Sequence, residues 1–182
     1  MASNRSIEYH QQWIGYLNPT GLVFSPHALE DAQTVINEGV ISEQKELQTL
    51  VTKTVNDDIQ FTGFENIHDL FLKVLNWRDS DLNSNQAIIT QYSFSHPQFG
   101  EVVSPTYVAK VSDEKVILIQ ELEQEDFDKS AATEDSWNSS PHFKFERLLR
   151  EKQVPTGIIV SKRNLRLIFA PRGESSGYMD FP

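Results

Sequence analysis

Apolar positions recur at two different periods along this chain, and the period changes near residue 85. In "GLVFSPHALEDAQTVINEG" a short apolar strand is followed by Ser25 as an N-cap and Pro26 at the first helical position, with Gly39 just past the end. That punctuation predicts a helix over about 26–37. "SEQKELQTLVTKTV" places Leu47, Leu50, Val51 and Val55 near helical spacing and predicts a second helix over about 43–55. A third follows in "FENIHDLFLKVLNW", where Asn66 can cap and Leu70, Phe71, Val74 and Leu75 form the stripe to be buried.

Beyond residue 85 the runs are short, β-branched and aromatic. "QAIITQYSF", "EVVSPTYVAKV" and "KVILIQEL" read as strands, separated by turn signals at His96-Pro97 and Ser112-Asp113. The unbroken "VILI" in the third predicts a strand buried on both faces at the centre of a sheet. "EQEDFDKSAATEDSWNSS", residues 123–140, has no clean period and reads as a long acidic loop. Ser140-Pro141 then opens an amphipathic helix over 141–152, with Phe145, Leu148 and Leu149 on its inner face. A hairpin pairing about 156–161 with 165–170 follows, and "YMDFP" looks extended. The order predicts one α+β domain, layered as in α/β folds, over 1–182: a mainly helical part, 1–80, and a sheet-rich part, 85–182, whose mixed central sheet is flanked by helices.

Composition changes this picture little. An apolar fraction of 38% with 10% aromatics suits a globular chain, and the absence of cysteine excludes disulfides and the common zinc cages. No apolar run approaches the roughly 20 residues that span a bilayer, and "MASNRSIEYHQQW" lacks the apolar middle of a secretory signal, so a cytoplasmic protein with no membrane contact is expected. Charge changes the picture more. The net −10 hides an asymmetry: residues 1–140 carry 8 Lys/Arg against 22 Asp/Glu, while 141–182 carry 8 against 4. If the domain touches DNA, the expected contacts are Arg147, Arg150, Lys162, Arg163 and Arg166 on the last helix and hairpin, binding weakly and without sequence preference.

Candidate chemistry is sparse. Gly173 to Gly177 spells G-x-S-x-G, but a nucleophile elbow needs a helix after the serine and a later histidine, and the last histidine is His142. That segment reads as a polar loop. His10, His27, His68, His96 and His142 lack metal-ligand spacing and suit surface or capping roles. The acidic run Glu121, Glu123, Glu125, Asp126, Asp128 lacks the glycine and ligand order of an EF-hand and reads as a solvated loop.

One constellation remains: strand, strand, amphipathic helix and hairpin in "EVVSPTYVAKV", "VILIQEL" and "FERLLREKQVPTGIIVSKRNLRLIFAP", with Pro105 in the first strand and an acid ending the second. This resembles the core of the PD-(D/E)XK nuclease fold, and more nearly the N-terminal region of type I restriction subunits and of large restriction-modification or phage-defence proteins that fuse such a domain to a DNA adenine methyltransferase. The opening "HQQWIGYLNPTGLVFSPHAL" also resembles the start of those methylases. The resemblance implies a restriction-endonuclease-like core, with the methyltransferase expected after Pro182.

In an active nuclease of this kind, the acid after the proline and the acid separated from the lysine by one residue hold Mg²⁺, which activates water. Here Pro105 is followed by Thr106. In "LIQELEQ" the acid and lysine positions fall on Gln120 and Leu122, or one residue later on Glu121 and Glu123. The resemblance therefore implies a catalytically inactive module without cofactor, binding DNA or a partner such as the downstream methyltransferase. The alternatives are an active Mg²⁺-dependent endonuclease using Glu121 with Asp113 or Glu101, and a protein-interaction domain with no nucleic-acid role.

Overall fold

The computed structural model describes residues 3–181 apart from 22, 24, 33, 35–39, 56–57, 113 and 131–136. In chain order its elements are α1 (Ser3–Gly15), β1 (Asn18–Gly21), α2 (Pro26–Asp31), α3 (Ile41–Val51), β2 (Thr52–Val55), β3 (Asp58–Phe61) and α4 (Ile67–Asp69), which runs on as a π-helical turn over Leu70–Val74. After them come β4 (Leu82–Asn83), α5 (Gln86–Gln91), β5 (Phe94–Ser95), β6 (Val102–Val103), β7 (Tyr107–Lys110), β8 (Val116–Glu121), α6 (Pro141–Lys152), β9 (Thr156–Val160), β10 (Leu165–Phe169) and β11 (Gly177–Phe181).

Seven strands form one mixed sheet in the order β1-β11-β10-β9-β8-β7-β4. Only β8 and β9 run parallel, with Ile119 opposite Ile158, and α6 provides the crossover that a parallel pair requires. Side chains alternate across the strands, so the sheet divides the core in two. Val108, Leu118, Ile159 and Ile168 meet Phe145, Leu148 and Leu149 of α6 on one face. On the other, Ala109, Ile119, Ile158 and Val160 meet Ile67, Leu70 and Phe71. Leu118, Ile119, Phe145 and Phe71 are each 0% exposed, and full burial of a side chain of this size stabilises by about 1.5–3 kcal/mol.

The reasons for α6 are local. The Ser140 hydroxyl accepts from the Phe143 N–H, Pro141 sits in the first turn, and Gln153 closes the helix in a left-handed conformation at φ 57°. Gly157 then lets β9 lie close under α6, because a Cβ there would stand 2.6 Å from Phe145 Cε1.

The mixed sheet with flanking helices, the 141–152 helix, the closing hairpin and the doubly buried β8 all match expectation. The strand β8 is interior, though β9 occupies the middle of the seven. Several expectations are corrected. "QAIITQ" is helical: Asn85 caps α5 through the Ala87 N–H at 2.9 Å, and only Phe94–Ser95 of that stretch pairs as a strand. The second helix stops at Val51, and Thr52–Val55 turns into the β2–β3 hairpin, a switch favoured by the alternating β-branched "TKTV". The first predicted helix is seen over Pro26–Asp31, and the rest of its span, including Gly39, falls largely outside the described residues. Among the described residues no helix is long and apolar enough to cross a membrane.

Candidate functional site

Pro105, Thr106, Gln120, Glu121 and Leu122 come together where β7 begins and β8 ends. Pro105 is buried, the Thr106 N–H donates to the Ile119 carbonyl at 2.7 Å, and the Thr106 hydroxyl accepts from the Glu121 N–H at 2.9 Å. Alternation from Val108 and Leu118 directs Thr106 and Gln120 toward the α6 face, where Leu122 also packs. From these three positions that face therefore presents a hydroxyl, an amide and methyl groups, and neither a carboxylate nor an ammonium. Gln120 Oε1 is buried with no hydrogen-bond partner. The Leu122 N–H extends the parallel ladder to the Val160 carbonyl at 2.9 Å.

Glu121 points to the opposite face and is exposed. Its neighbour there is Tyr107, whose phenol is pushed above its ordinary pKa by burial and, next, by the Glu121 charge. Among the described residues no group of three His, Asp or Glu side chains could hold a metal ion. Of the migrated acids considered, Asp113 lies outside the described residues. Glu101 accepts from the Trp137 N–H at 3.2 Å and pairs with Lys144.

Beyond β8 the acidic loop is stapled to the closing hairpin rather than solvated throughout. A Glu125 carboxylate oxygen accepts from the Ser161 hydroxyl at 2.7 Å, and Asn164 Nδ2 donates to the Glu125 carbonyl at 3.1 Å. Asp128 and Asp180 hold Arg166 between them: Nη1 and Nη2 donate to Asp128 at 2.7 and 2.9 Å, and Nε and Nη2 to Asp180 at 2.6 and 3.0 Å. The guanidinium also lies 4.0 Å from the Tyr178 ring centroid. Burial alone would lower the Arg166 pKa, but the bonds to Asp128 and Asp180 outweigh it and the net shift is upward. The same bonds hold the Asp128 carboxyl below its ordinary value. A cleft of about 460 Å³ opens beside this cluster, lined by Glu125, Phe127, Asp128, Asn164, Asp180 and Phe181 among others.

Arg166 is thus a correction to the cationic set expected for DNA. Its side chain is 6% exposed and four of its donors bind carboxylates. Of the other four, two lie on α6 and two on the β9–β10 turn. Arg147 pairs with Glu151 at 2.9 Å and lies over Phe94 of β5, and Arg150 pairs with Glu146 at 3.0 Å along α6. Lys162 and Arg163 occupy the β9–β10 turn, with Arg163 over Phe61 of β3. Strand β9 separates that turn from the end of α6, a span of roughly 15 Å at 3.3 Å per residue.

The buried polar cluster was not foreseen, although its signal was present: Arg166 and Asp180 are charges of opposite sign inside the otherwise apolar "LRLIF" and "YMDF". Two histidines also depart from expectation. His10 is 1% exposed, its Nδ1 accepting from Trp13 Nε1 at 3.0 Å. His142, in the first turn of α6, packs against Tyr178, with Nδ1 buried and without a hydrogen-bond partner. Gly173–Gly177 is a polar turn leading into β11, Gly173 adopting φ 82°, as expected of a loop rather than a serine site. No protein-family model matches the chain, and no curated protein or solved structure matches it.

Proposed function

We propose that this chain is a nuclease-like module that works by binding, not by metal-dependent cleavage, within a restriction-modification or phage-defence methyltransferase system. The succession β4, β7, β8, α6, β9 supports the restriction-endonuclease-like core: an antiparallel meander, a helical crossover and a parallel return strand. The observation that carries the inactive reading is the Thr106 hydroxyl. It stands at the position to which the resemblance assigns the first metal-binding carboxylate and accepts from the Glu121 N–H, while Gln120 and Leu122 hold the positions assigned to a second acid and a lysine.

A protein partner, the methyltransferase portion foremost, fits this surface better than DNA. Phosphate binding scales with the number of cations that can displace counterions. Of the five expected contacts Arg166 is buried and Arg147 and Arg150 already pair with glutamates, on a chain of net charge −10.

Two measurements test this. Incubated with plasmid and linear DNA and Mg²⁺ or Mn²⁺, the protein is expected to leave both intact; metal-dependent cleavage lost in Glu121→Ala would overturn the inactive reading. Fluorescence anisotropy with labelled duplex at low salt is expected to give no saturable binding below micromolar concentrations. Tight binding lost in Arg147→Ala with Arg163→Ala would return the assignment to DNA.

A further inference from the structure

Uncovered apolar surface is concentrated in one stretch. Of the thirteen large apolar side chains that the described residues expose, six lie between residues 40 and 61: Val40, Ile41, Leu47, Val55, Ile59 and Phe61. The helix α3 has no buried residue, and every position of β3 is exposed. Among the described residues β2 and β3 pair only with each other. A two-stranded ribbon alone is marginal in water and gains independent stability from further strands over an apolar face.

The ribbon's geometry defines what is missing. The Thr62 N–H bonds the Val51 carbonyl at 2.7 Å, and bonded pairs alternate along an antiparallel ladder. With Lys53 opposite Gln60 and Val55 opposite Asp58, the backbone groups of Ile59 and Phe61 point away from β2, as an open edge. The side chains of Ile59 and Phe61 share one face and are 67% and 56% exposed. The ribbon's root is held firmly. Phe64 N–H donates to the Lys162 carbonyl at 2.7 Å, and Gly63, at φ 72°, leaves no room for a Cβ against the same carbonyl. Cations therefore stand at the root, Lys162 and Arg163, and an exposed acid, Asp58, stands toward the tip.

We infer that this edge is an interface with a second copy of the chain, in which the two β3 strands pair antiparallel about a two-fold axis at Gln60. Three features select that occupant. The outward-facing residues 59 and 61 are symmetric about residue 60, so Ile59 of each copy lies opposite Phe61 of the other, giving two aromatic–β-branched pairs on one face. The product is a four-stranded sheet with both inner edges satisfied. Antiparallel alignment also carries the Asp58 end of each ribbon toward the other copy's Lys162–Arg163 root, a self-complementary arrangement as a two-fold contact requires.

The chain lacks cysteine, which makes the register directly testable. Gln60 of one copy faces Gln60 of the other as a non-hydrogen-bonded pair with Cα atoms about 4.5 Å apart, inside the range a disulfide spans. On mild oxidation Gln60→Cys is expected to cross-link nearly completely to a dimer, while Lys53→Cys, on the inner strand, is not. Sedimentation of the unmodified protein is expected to show a reversible dimer. Ile59→Lys is expected to raise its dissociation constant by about tenfold or more, with the far-ultraviolet circular dichroism and melting temperature of the monomer retained. A protein monomeric at all concentrations up to about 100 µM, or cross-linking through Lys53→Cys in place of Gln60→Cys, would overturn the proposal.

Discussion

Replacing Arg166 by Met removes a charge from inside the sheet while keeping most of the side-chain volume. The guanidinium is 6% exposed, but its partners differ, Asp128 being 56% and Asp180 33% exposed in their side chains. Breaking a fully buried pair costs about 3–5 kcal/mol, because the remaining charge stays desolvated. Here both carboxylates can recover water, Asp128 more fully, so the expected loss is about 2–3 kcal/mol, including roughly 1 kcal/mol for the contact with Tyr178. For a chain of this size 1 kcal/mol moves the melting temperature by about 2–4 °C, so Arg166→Met is expected to melt about 4–12 °C lower at pH 7.

The acid limb supplies a second readout. The Arg166 hydrogen bonds hold Asp128 below its ordinary pKa, so the unfolded chain takes up this proton first as pH falls. The stability from the pair is present above the unfolded value of about 3.9 and is lost as pH drops through the lowered folded value. The gap between wild type and Arg166→Met, followed by urea unfolding monitored by tryptophan fluorescence, is therefore expected to narrow below about pH 4. A variant melting within about 1 °C of wild type, with an unchanged acid limb, would refute this account of the cluster.

Gly157→Ala drives a methyl group to within 2.6 Å of Phe145 Cε1 and 2.8 Å of Leu149 Cδ2, and overpacking of this kind is expected to cost about 1–3 kcal/mol in the same unfolding assay. His142 is held below its ordinary pKa first by burial and then by the Arg166 charge; the unfolded chain protonates first, so stability falls as pH drops below about 6.5, and His142→Gln is expected to remove that limb from a pH series of melting temperatures. Glu121→Gln takes away the second cause of the raised Tyr107 value, so ultraviolet titration of the phenols is expected to show one tyrosine ionising at lower pH than in wild type, while the burial component remains. Ser140→Ala leaves the Phe143 N–H at the head of α6 without its acceptor and is expected to cost about 1 kcal/mol.

Elements whose signals are local were legible in the sequence. Ser140-Pro141 with the Phe145, Leu148, Leu149 stripe specified α6, and the run of Val116 to Ile119 specified a strand covered on both sides, because each signal depends on a few adjacent residues. "QAIITQ" misled because Ile88 and Ile89 carry β propensity while the cap at Asn85 favours a helix; capping together with packing of Ile89 under the sheet prevailed. Arg166 dropped out of the expected cationic set for a long-range reason. Sequence counts Arg166 as a cation among cations, whereas Asp128, thirty-eight positions away, cancels it across a loop whose course no local pattern encodes.

The Thr106 corner and the Arg166 cluster lie at the same end of β8 and β9, and both accord with the binding role proposed above. A metal site keeps carboxylates open and convergent, so that their charge can act on a bound ion. In this chain the acids after β8 are turned to holding the fold: Glu125 binds Ser161 and Asn164 of the β9–β10 turn, and Asp128 binds Arg166 of β10. These bonds fasten the crossover loop to the hairpin whose root also receives the β2–β3 ribbon through the Phe64–Lys162 bond. The loop, the turn and the ribbon root thus form one connected support. In this arrangement the exposed edge of β3 stands on a hydrogen-bonded base, as the proposed binding role requires.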